Sequence, residues 1–494
     1  MKSLVRMMSG TVLFLLCGCV EEGNLRESPV NPRSAHPSQL LTQVIWEAFR
    51  AFQGTTPLYA SRMLVLTDTE SVHQYYKWSH GEFAFEALRN VQKMQEESLR
   101  FGEAVYMALA HFFRAYYFLH TTLSFGDIPY KEALRGEIDG IDRPVYDTQK
   151  EVFAGILAEL EEADRILTEI PDADLQGDII YNGDTNKWRR LINAFRLKTL
   201  LMLSLRVTDA CPDVPACFAA IATSAPLLRS PDDNGQLVFL DRTGNRYPEF
   251  NASRYNSGIY VDSTFVRLLQ DHEDPRLFVF CAPTKAAREA GKEVDDFSAY
   301  EGGDPAAPYD LVNAKAAQGR VSKVNDRYYL NPTAEPLLIL GFAEQQFILA
   351  EAAVRGWIKG DAANLYASGI HAAFRFYATY ASGQADYLGE EATDDYLLHP
   401  LHKFESIPSE EGRIEAIIIQ KYFQSFLQGK WTPFFDHLRT GYPVFRCPDG
   451  VNVPCRWIYP LTEYQTNAEN LSAALLRQFV GVDEIHRPTW LWHP

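Results

Sequence analysis

Clustered positive charge is what this sequence most lacks. Its 47 Lys and Arg stand against 64 Asp and Glu, a formal net charge of -17. Nucleic acids and anionic lipid surfaces are held by grouped Lys and Arg, so neither is an expected partner, and a neutral or cationic ligand suits the chain better. The signatures of common catalytic sites are missing as well: there is no H-E-x-x-H, G-x-S-x-G, P-loop or G-x-G-x-x-G. That absence excludes those mechanisms without excluding catalysis, because the two carboxylates of a glycoside hydrolase meet in space rather than in sequence. No C-x-x-C or nearby His pair suggests zinc, and His399 and His402 in HPLH have no helix to align them. The acidic turn PDDNG at Pro231–Gly235 lacks the alternation and closing Glu of a calcium loop. No metal or cofactor is expected. Long apolar runs are also scarce: Thr11–Leu16 falls well short of the about 20 residues that a helix needs to cross the hydrocarbon core.

What the N-terminus does carry is the pattern of an export signal. Lys2 and Arg6 precede the apolar run, and the small Gly18 comes before Cys19. Leu16-Cys17-Gly18-Cys19 resembles the bacterial lipobox, in which the cysteine becomes the first residue and is acylated. Residues 1–18 then read as a signal peptide, Cys19 as the lipid anchor, and 19–39 as a polar, proline-bearing tether. More than one acyl chain is required for stable anchoring. An ordinary secretory signal with an incidental cysteine is the competing reading. Glu21 and Glu22 resemble the acidic signal that sends lipoproteins of Bacteroidetes-type bacteria to the cell surface, so the expected location is the outer membrane, facing outward.

Beyond the signal the composition is that of a globular protein, 46% hydrophobic and 22% charged. Two short segments, CPDVPAC and CPDGVNVPC, have a cysteine at each end and prolines that turn the chain. In an oxidising compartment they suggest local disulfides, Cys211 to Cys217 and Cys447 to Cys455; Cys281 in LFVFCAP reads as a buried thiol. Apolar residues repeat mostly at helical spacing. Val105, Ala108, Leu109, Phe112, Tyr116 and Leu119 share one helix face that ends before Gly126. Thr148 and Glu151 form a capping-box pattern. Further helices are indicated from Trp188 to Met202, in AEQQFILAEAAVRG and DAANLYASGIHAAFRFYATY, and in RIEAIIIQKYFQSFLQ, with Gly429 as its C' residue. Between them, Pro226–Pro332 is rich in Gly, Pro, Asp, Asn and Tyr and lacks long periodic runs. Loops of that length are usually functional or disordered, and Tyr247, Tyr255, Tyr260, Tyr300 and Tyr309 argue against disorder.

Several of these segments, in order, resemble the SusD/RagB-like family of nutrient-binding outer-membrane lipoproteins. They are AVYMALAHFFRAYYFLHTTLSFGDIPYKEAL, YDTQKEVFAGILAELEEADRIL, GDTNKWRRLINAFRLKTLLMLS, EDPRL, AEQQFILAEAAVRGW, IIIQKYFQSF, RTGYP and IYPLTEYQTNAEN. In DHLRTGYP, Leu438 stands where family members often carry a second arginine. The resemblance implies one all-α domain over 40–494, with tetratricopeptide-like helix pairs forming a right-handed superhelical scaffold and an irregular ligand-contact region at about 226–332. It also implies a partner, a SusC-like TonB-dependent transporter that receives the captured oligosaccharide. Capture of peptides is an alternative within the family, and a surface-anchored α-helical glycoside hydrolase is an alternative outside it. The family's contact loop corresponds to LTDTESVHQYYKWSHGEF, where Tyr75, Tyr76 and Trp78 alternate with polar residues as an exposed platform would; an aromatic cluster at the edge of the core is the other reading. Tyr255 and Tyr300 are expected on the facing wall, with Asn251 and Arg254 as polar contacts. The lipobox generates a direct prediction: Cys19→Ala abolishes metabolic labelling by a fatty-acid analogue and releases the protein from the membrane fraction, and equal labelling of the variant overturns the anchor.

Overall fold

The aromatic-rich segment around Phe112 forms a 22-residue helix in the computed structural model, which describes residues 35–209 and 213–493. This helix, α3 (Ala104–Phe125), is buried on nearly every side, the pattern of an internal rather than a surface helix. The cause is its neighbours: α1 (Pro37–Arg50), α2 (Phe85–Phe101) and α4 (Gln149–Glu169) all pack on it. α5 (Thr185–Met202) covers α4 and reaches α6 (Phe342–Val354), which packs on α7 (Ala362–Tyr380) and α8 (Glu410–Gln424). α9 (Thr432–Thr440) leans on α8, and α10 (Ala468–Phe479) closes the series. The fold is all-α in class, with consecutive helices as packing partners. From His36 onward the chain makes one compact unit.

The helix starts follow from local chemistry. Thr148 and Glu151 form the expected capping box at α4, so two orphan donors of the first turn are satisfied reciprocally. Asp184 accepts from the backbone N–H groups of Asn186 and Lys187 at 3.0 and 3.1 Å to start α5. Asp361 does the same for α7. Two boundaries differ from the sequence expectation. α1 begins at Pro37 rather than near Leu40. α8 stops at Gln424, and Gly429 is not its left-handed cap: Leu427 and Lys430 take positive φ instead. Gly429 is needed for closeness, since a Cβ there would sit 2.4 Å from the Ser425 Cβ.

Strands are few and short. β1 (Leu64–Leu66) pairs antiparallel with β3 (Ile259–Val261), with Leu64 opposite Val261 and Leu66 opposite Ile259. β2 (Gly235–Leu237) pairs with β4 (Leu337–Leu340). Both ladders pin the irregular stretch after Pro226 to the helical frame. That stretch is made of short helices such as Ser263–Asp271, Arg276–Phe280 and Tyr309–Ala317, joined by turns.

The motifs that carried the family resemblance meet inside the core as two ionic clusters. In one, Arg439 of α9 forks Glu351 of α6, through Nη1 and through Nη2 at 2.8 Å, and reaches Asp436 at 2.9 Å. Asp436 in turn accepts from Lys421 of α8 at 2.7 Å. In the other, Arg276 bonds Asp274 at 2.9 and 2.6 Å and Gln420 of α8 at 2.6 Å, while the Tyr396 hydroxyl donates to Asp274 at 2.7 Å. The guanidiniums of Arg276 and Arg439 are fully buried, so each depends on its carboxylate for compensation. Despite burial, attraction from Arg439 helps hold Glu351 below its ordinary value, and Lys421 and Arg439 do the same for Asp436. Arg439→Met removes the fully buried partner of Glu351, leaves that carboxylate only Arg355 at 2.8 Å, and takes from Asp436 one of its two cations. The expected loss is about 3–5 kcal/mol, read as a lower midpoint in urea denaturation; a midpoint equal to that of the parent chain would show that α6 and α9 do not rely on the ion pair.

Candidate ligand-binding face

The β1–β3 ladder brings together the two sequence regions expected to hold ligand contacts. Past the end of β1 the pairing continues, with Thr67 N–H donating to the Gly258 carbonyl at 2.8 Å. On the other flank, Gly303 N–H donates to Val261 O at 2.9 Å and Ser263 N–H to Gly303 O at 2.8 Å. The Tyr75 hydroxyl then donates to the Ala307 carbonyl at 2.7 Å, and Arg446 clasps Asp304 with two bonds at 2.6 and 2.7 Å. Segments 67–80, 250–260 and 300–310 are therefore contiguous.

Most of the expected contact side chains, however, face inward. Tyr76, Trp78, Tyr255 and Tyr300 are exposed by only 2, 5, 1 and 3%, and Tyr75 by 9%. Trp78 stacks on Trp457 with centroids 4.1 Å apart and lies edge-on to Trp431 at 5.7 Å. Tyr76 lies under the buried Arg62 guanidinium at 4.0 Å and donates its hydroxyl to Ala60 O at 2.8 Å. Tyr300 donates to Val294 O at 2.7 Å. The exposed platform is thus corrected: Tyr76 and Trp78 form an aromatic cluster of the core, Tyr75 is buried with its hydroxyl tied to Ala307, and Tyr255 and Tyr300 are corrected from wall residues to supports. The polar residues between the rings do not mark exposure. Gln74 is itself buried, accepting from Leu66 N–H at 2.8 Å, while its backbone carbonyl accepts from Arg62 at 2.5 Å.

Asn251 and Arg254 are exposed, as expected. Asn251 takes a left-handed φ of 58° and its N–H donates to Tyr329 O at 2.9 Å. Arg254 pairs with Glu249 and lies 5.5 Å above the Tyr255 ring. Beside them are side chains that the sequence reading did not select. Tyr329 is half-buried and stacks parallel on Tyr255 with centroids 5.4 Å apart and planes 5° off. Tyr260, the middle residue of β3, points to the half-buried side of the ladder and has Lys323 Nζ 5.2 Å from its ring. Lys323 is held by the carbonyls of Tyr255 and Asn256 at 3.1 and 2.8 Å, and burial pushes its ammonium below the ordinary lysine value. Burial likewise raises the Tyr260 and Tyr329 phenols, so both stay neutral. The two half-open rings are linked through Tyr255, whose ring stacks on Tyr329 and whose carbonyl holds Lys323, and with Arg254 and Asn251 they make a set able to stack on flat apolar surfaces while bonding polar groups beside them. The alternation of β3, buried–open–buried, was the available signal for Tyr260.

The other expected features are structural or lie elsewhere. Asp233 of the PDDNG turn bonds Arg190 at 3.0 Å, and Asn234 accepts from Phe342 N–H at 2.7 Å, fixing the start of α6. His402 stacks on Tyr396 at 3.7 Å and bonds His272 O at 2.8 Å. Cys447 and Cys455 are separate thiols, so the bridge expected between them is not formed; Cys447 Sγ contacts Phe445 O at 3.5 Å instead. Cys281 is a buried thiol. Cys19 and Cys211, and with Cys211 its pairing to Cys217, lie outside the described residues.

Comparison with known proteins defines the class. A family described as "Starch-binding associating with outer membrane", SusD-like, matches residues 29–460. The crystal structure of a SusD homolog from Bacteroides fragilis NCTC 9343 is 49% identical, covers 93% of this chain and 99% of its own, and superposes with a TM-score of 0.88. Another SusD homolog from the same organism is 33% identical, with coverages of 92% and 100% and a TM-score of 0.85. A chitin-binding SusD homolog from Flavobacterium johnsoniae, 17% identical over 93% of this chain and 99% of its own, shares the fold at a TM-score of 0.72. No curated protein matched. The chain belongs to the SusD-like family of outer-membrane nutrient-binding proteins. No helix among the described residues is long and apolar enough to cross a membrane.

The corrected position of Trp78 has a measurable consequence. Trp78→Ala empties part of a cluster shared with Trp431, Trp457 and Phe434, and a truncation of this kind costs about 3–5 kcal/mol. Melting temperature falls accordingly, and an unchanged melt would return Trp78 to the surface.

Proposed function

We propose that this protein is a cell-surface lipoprotein that captures oligosaccharides and delivers them to a SusC-like TonB-dependent outer-membrane transporter, with Cys19 as its lipid anchor. The observation that carries this reading is the face around Tyr260 and Tyr329. Sugar rings present flat C–H surfaces bordered by hydroxyls, and this face offers two half-open phenol rings bordered by Arg254, Lys323 and Asn251. The family's starch-binding description favours a glycan in the same direction. Loops held on a rigid helical frame suit ligand capture, because the frame fixes the geometry while loop side chains vary.

Calorimetric titration of the purified protein with a panel of oligosaccharides, and separately of extended peptides, tests the ligand class. Saturable binding to one glycan type supports the proposal; binding to peptides alone overturns it in favour of peptide capture. Release of reducing ends from the bound glycan, abolished by a single Asp or Glu substitution, would make the protein a hydrolase. Co-purification with the transporter tests delivery. At the residue level, Tyr260→Ala and Tyr329→Ala each remove a stacking contribution of roughly 0.5–1.5 kcal/mol, about a twofold to tenfold loss of glycan affinity. Helicity stays unchanged in both. Full affinity in both variants would place the sugar elsewhere.

A further inference from the structure

A mainly apolar crevice lies away from this face. It lies between α3, α5, α7 and the turn that leads from α8 into α9, with an empty space of about 1100 Å³ when its mouth is included. Its wall is mainly apolar, supplied by residues such as Leu119, Leu123, Phe195, Phe376 and Phe435. A sugar-binding surface does not need such a wall, and a well-packed helical core would have filled it.

The polar groups on this wall are unevenly matched. Lys198 is paired with Glu344 at 2.8 Å, and Lys421 with Asp436 at 2.7 Å. Lys430 is different. Its Nζ bonds only neutral oxygens, the Tyr116 hydroxyl at 2.6 Å and the Ala48 carbonyl at 3.2 Å, and no carboxylate among the described residues faces it. With two acceptors the neutral amine is satisfied, whereas the protonated form carries three N–H donors and leaves one for an incoming anion, which would restore the charge. A second unmatched group lines the same crevice: His120 lies flat on Phe52 at 3.5 Å, and its Nε2 is buried with no hydrogen-bond partner. Burial, reinforced by Lys198, pushes the Lys430 amine well down, and burial with Lys430 pushes His120 down to about 3. Buried amines are normally matched by carboxylates. Here the missing partner has room to arrive from outside.

We infer that this crevice is a second binding site, for a molecule with an apolar body and a single carboxylate that pairs with Lys430. The apolar body packs along Leu119, Phe195 and Phe376, and the carboxylate takes the spare Lys430 donor. His120, if its tautomer places a proton on Nε2, offers a further donor. The wall accepts either an alkyl chain or an aromatic ring system; the shared chemistry is the lone carboxylate on an apolar skeleton.

Calorimetric titration with decanoate and with 2-naphthoate, each against its alcohol counterpart, distinguishes the two skeletons. The expected result is that at least one acid binds about tenfold or more tighter than the matched alcohol. Lys430→Met is expected to erase that preference while leaving alcohol binding in place, since Tyr116 keeps its bond to Ala48 O at 3.1 Å and the fold loses no ion pair. Ala372→Phe, which narrows the crevice at a buried position, is expected to abolish binding of both acid and alcohol while the helical circular-dichroism signal is kept. Failure of both acids to bind the parent chain below about 1 mM, equal affinity for acid and alcohol, or an acid preference that survives in Lys430→Met each overturns the proposal. Should Lys430→Met not fold, full acid binding by a folded Ala372→Phe variant overturns it independently.

Discussion

Everything outside the core rests on charges that have been taken out of water. Glu351, Lys421, Asp436 and Arg439 bind three helices, α6, α8 and α9, through one continuous set of contacts. Hydrophobic contact alone would let those helices slide, because apolar packing is tolerant of small shifts. A forked guanidinium–carboxylate pair is not tolerant. Any displacement of α9 relative to α6 strands a charge, so the frame has one low-energy arrangement. Loop side chains can then be placed reproducibly at its edge.

This explains why the recognisable motifs were poor guides to the site. AEQQFILAEAAVRGW supplies Glu351, IIIQKYFQSF supplies Gln420 and Lys421, EDPRL supplies Asp274 and Arg276, and RTGYP supplies Arg439. Each encodes a buried ionic joint. Leu438, beside Arg439, packs at the edge of the hydrophobic core, and the second guanidinium on Glu351 comes instead from Arg355, at 2.8 Å.

The scaffold was legible because helices announce themselves locally. The face Val105–Leu119, the Thr148–Glu151 box and Asp361 before α7 all have meaning within a few residues. The ligand face was legible only in outline. The segments 67–80, 250–260 and 300–310 do meet, as expected of one face, but the direction of each side chain was set by partners far away in sequence. Tyr75 turns toward Ala307, Tyr76 toward Arg62 and Trp78 toward Trp457. Gln74 read as a solvent-facing residue because it is polar, whereas its amide oxygen completes the backbone bonding of β1. Asn251 and Arg254 were placed correctly on the surface, and the rings beside them, Tyr260 and Tyr329, needed the β1–β3 register to be seen.

That short ladder also sets an order of events. Thr67 and Gly258 meet across 191 positions of chain, while α2, α3 and α4 pack on neighbours that follow closely in sequence. Loop-closure entropy rises slowly, by about 0.6 kcal/mol per doubling of length, yet contacts between distant segments form late because the intervening chain must be ordered first. The helices can therefore assemble while the surface beside Tyr260 does not yet exist. The surface beside Tyr260 is expected to be completed after the helical frame.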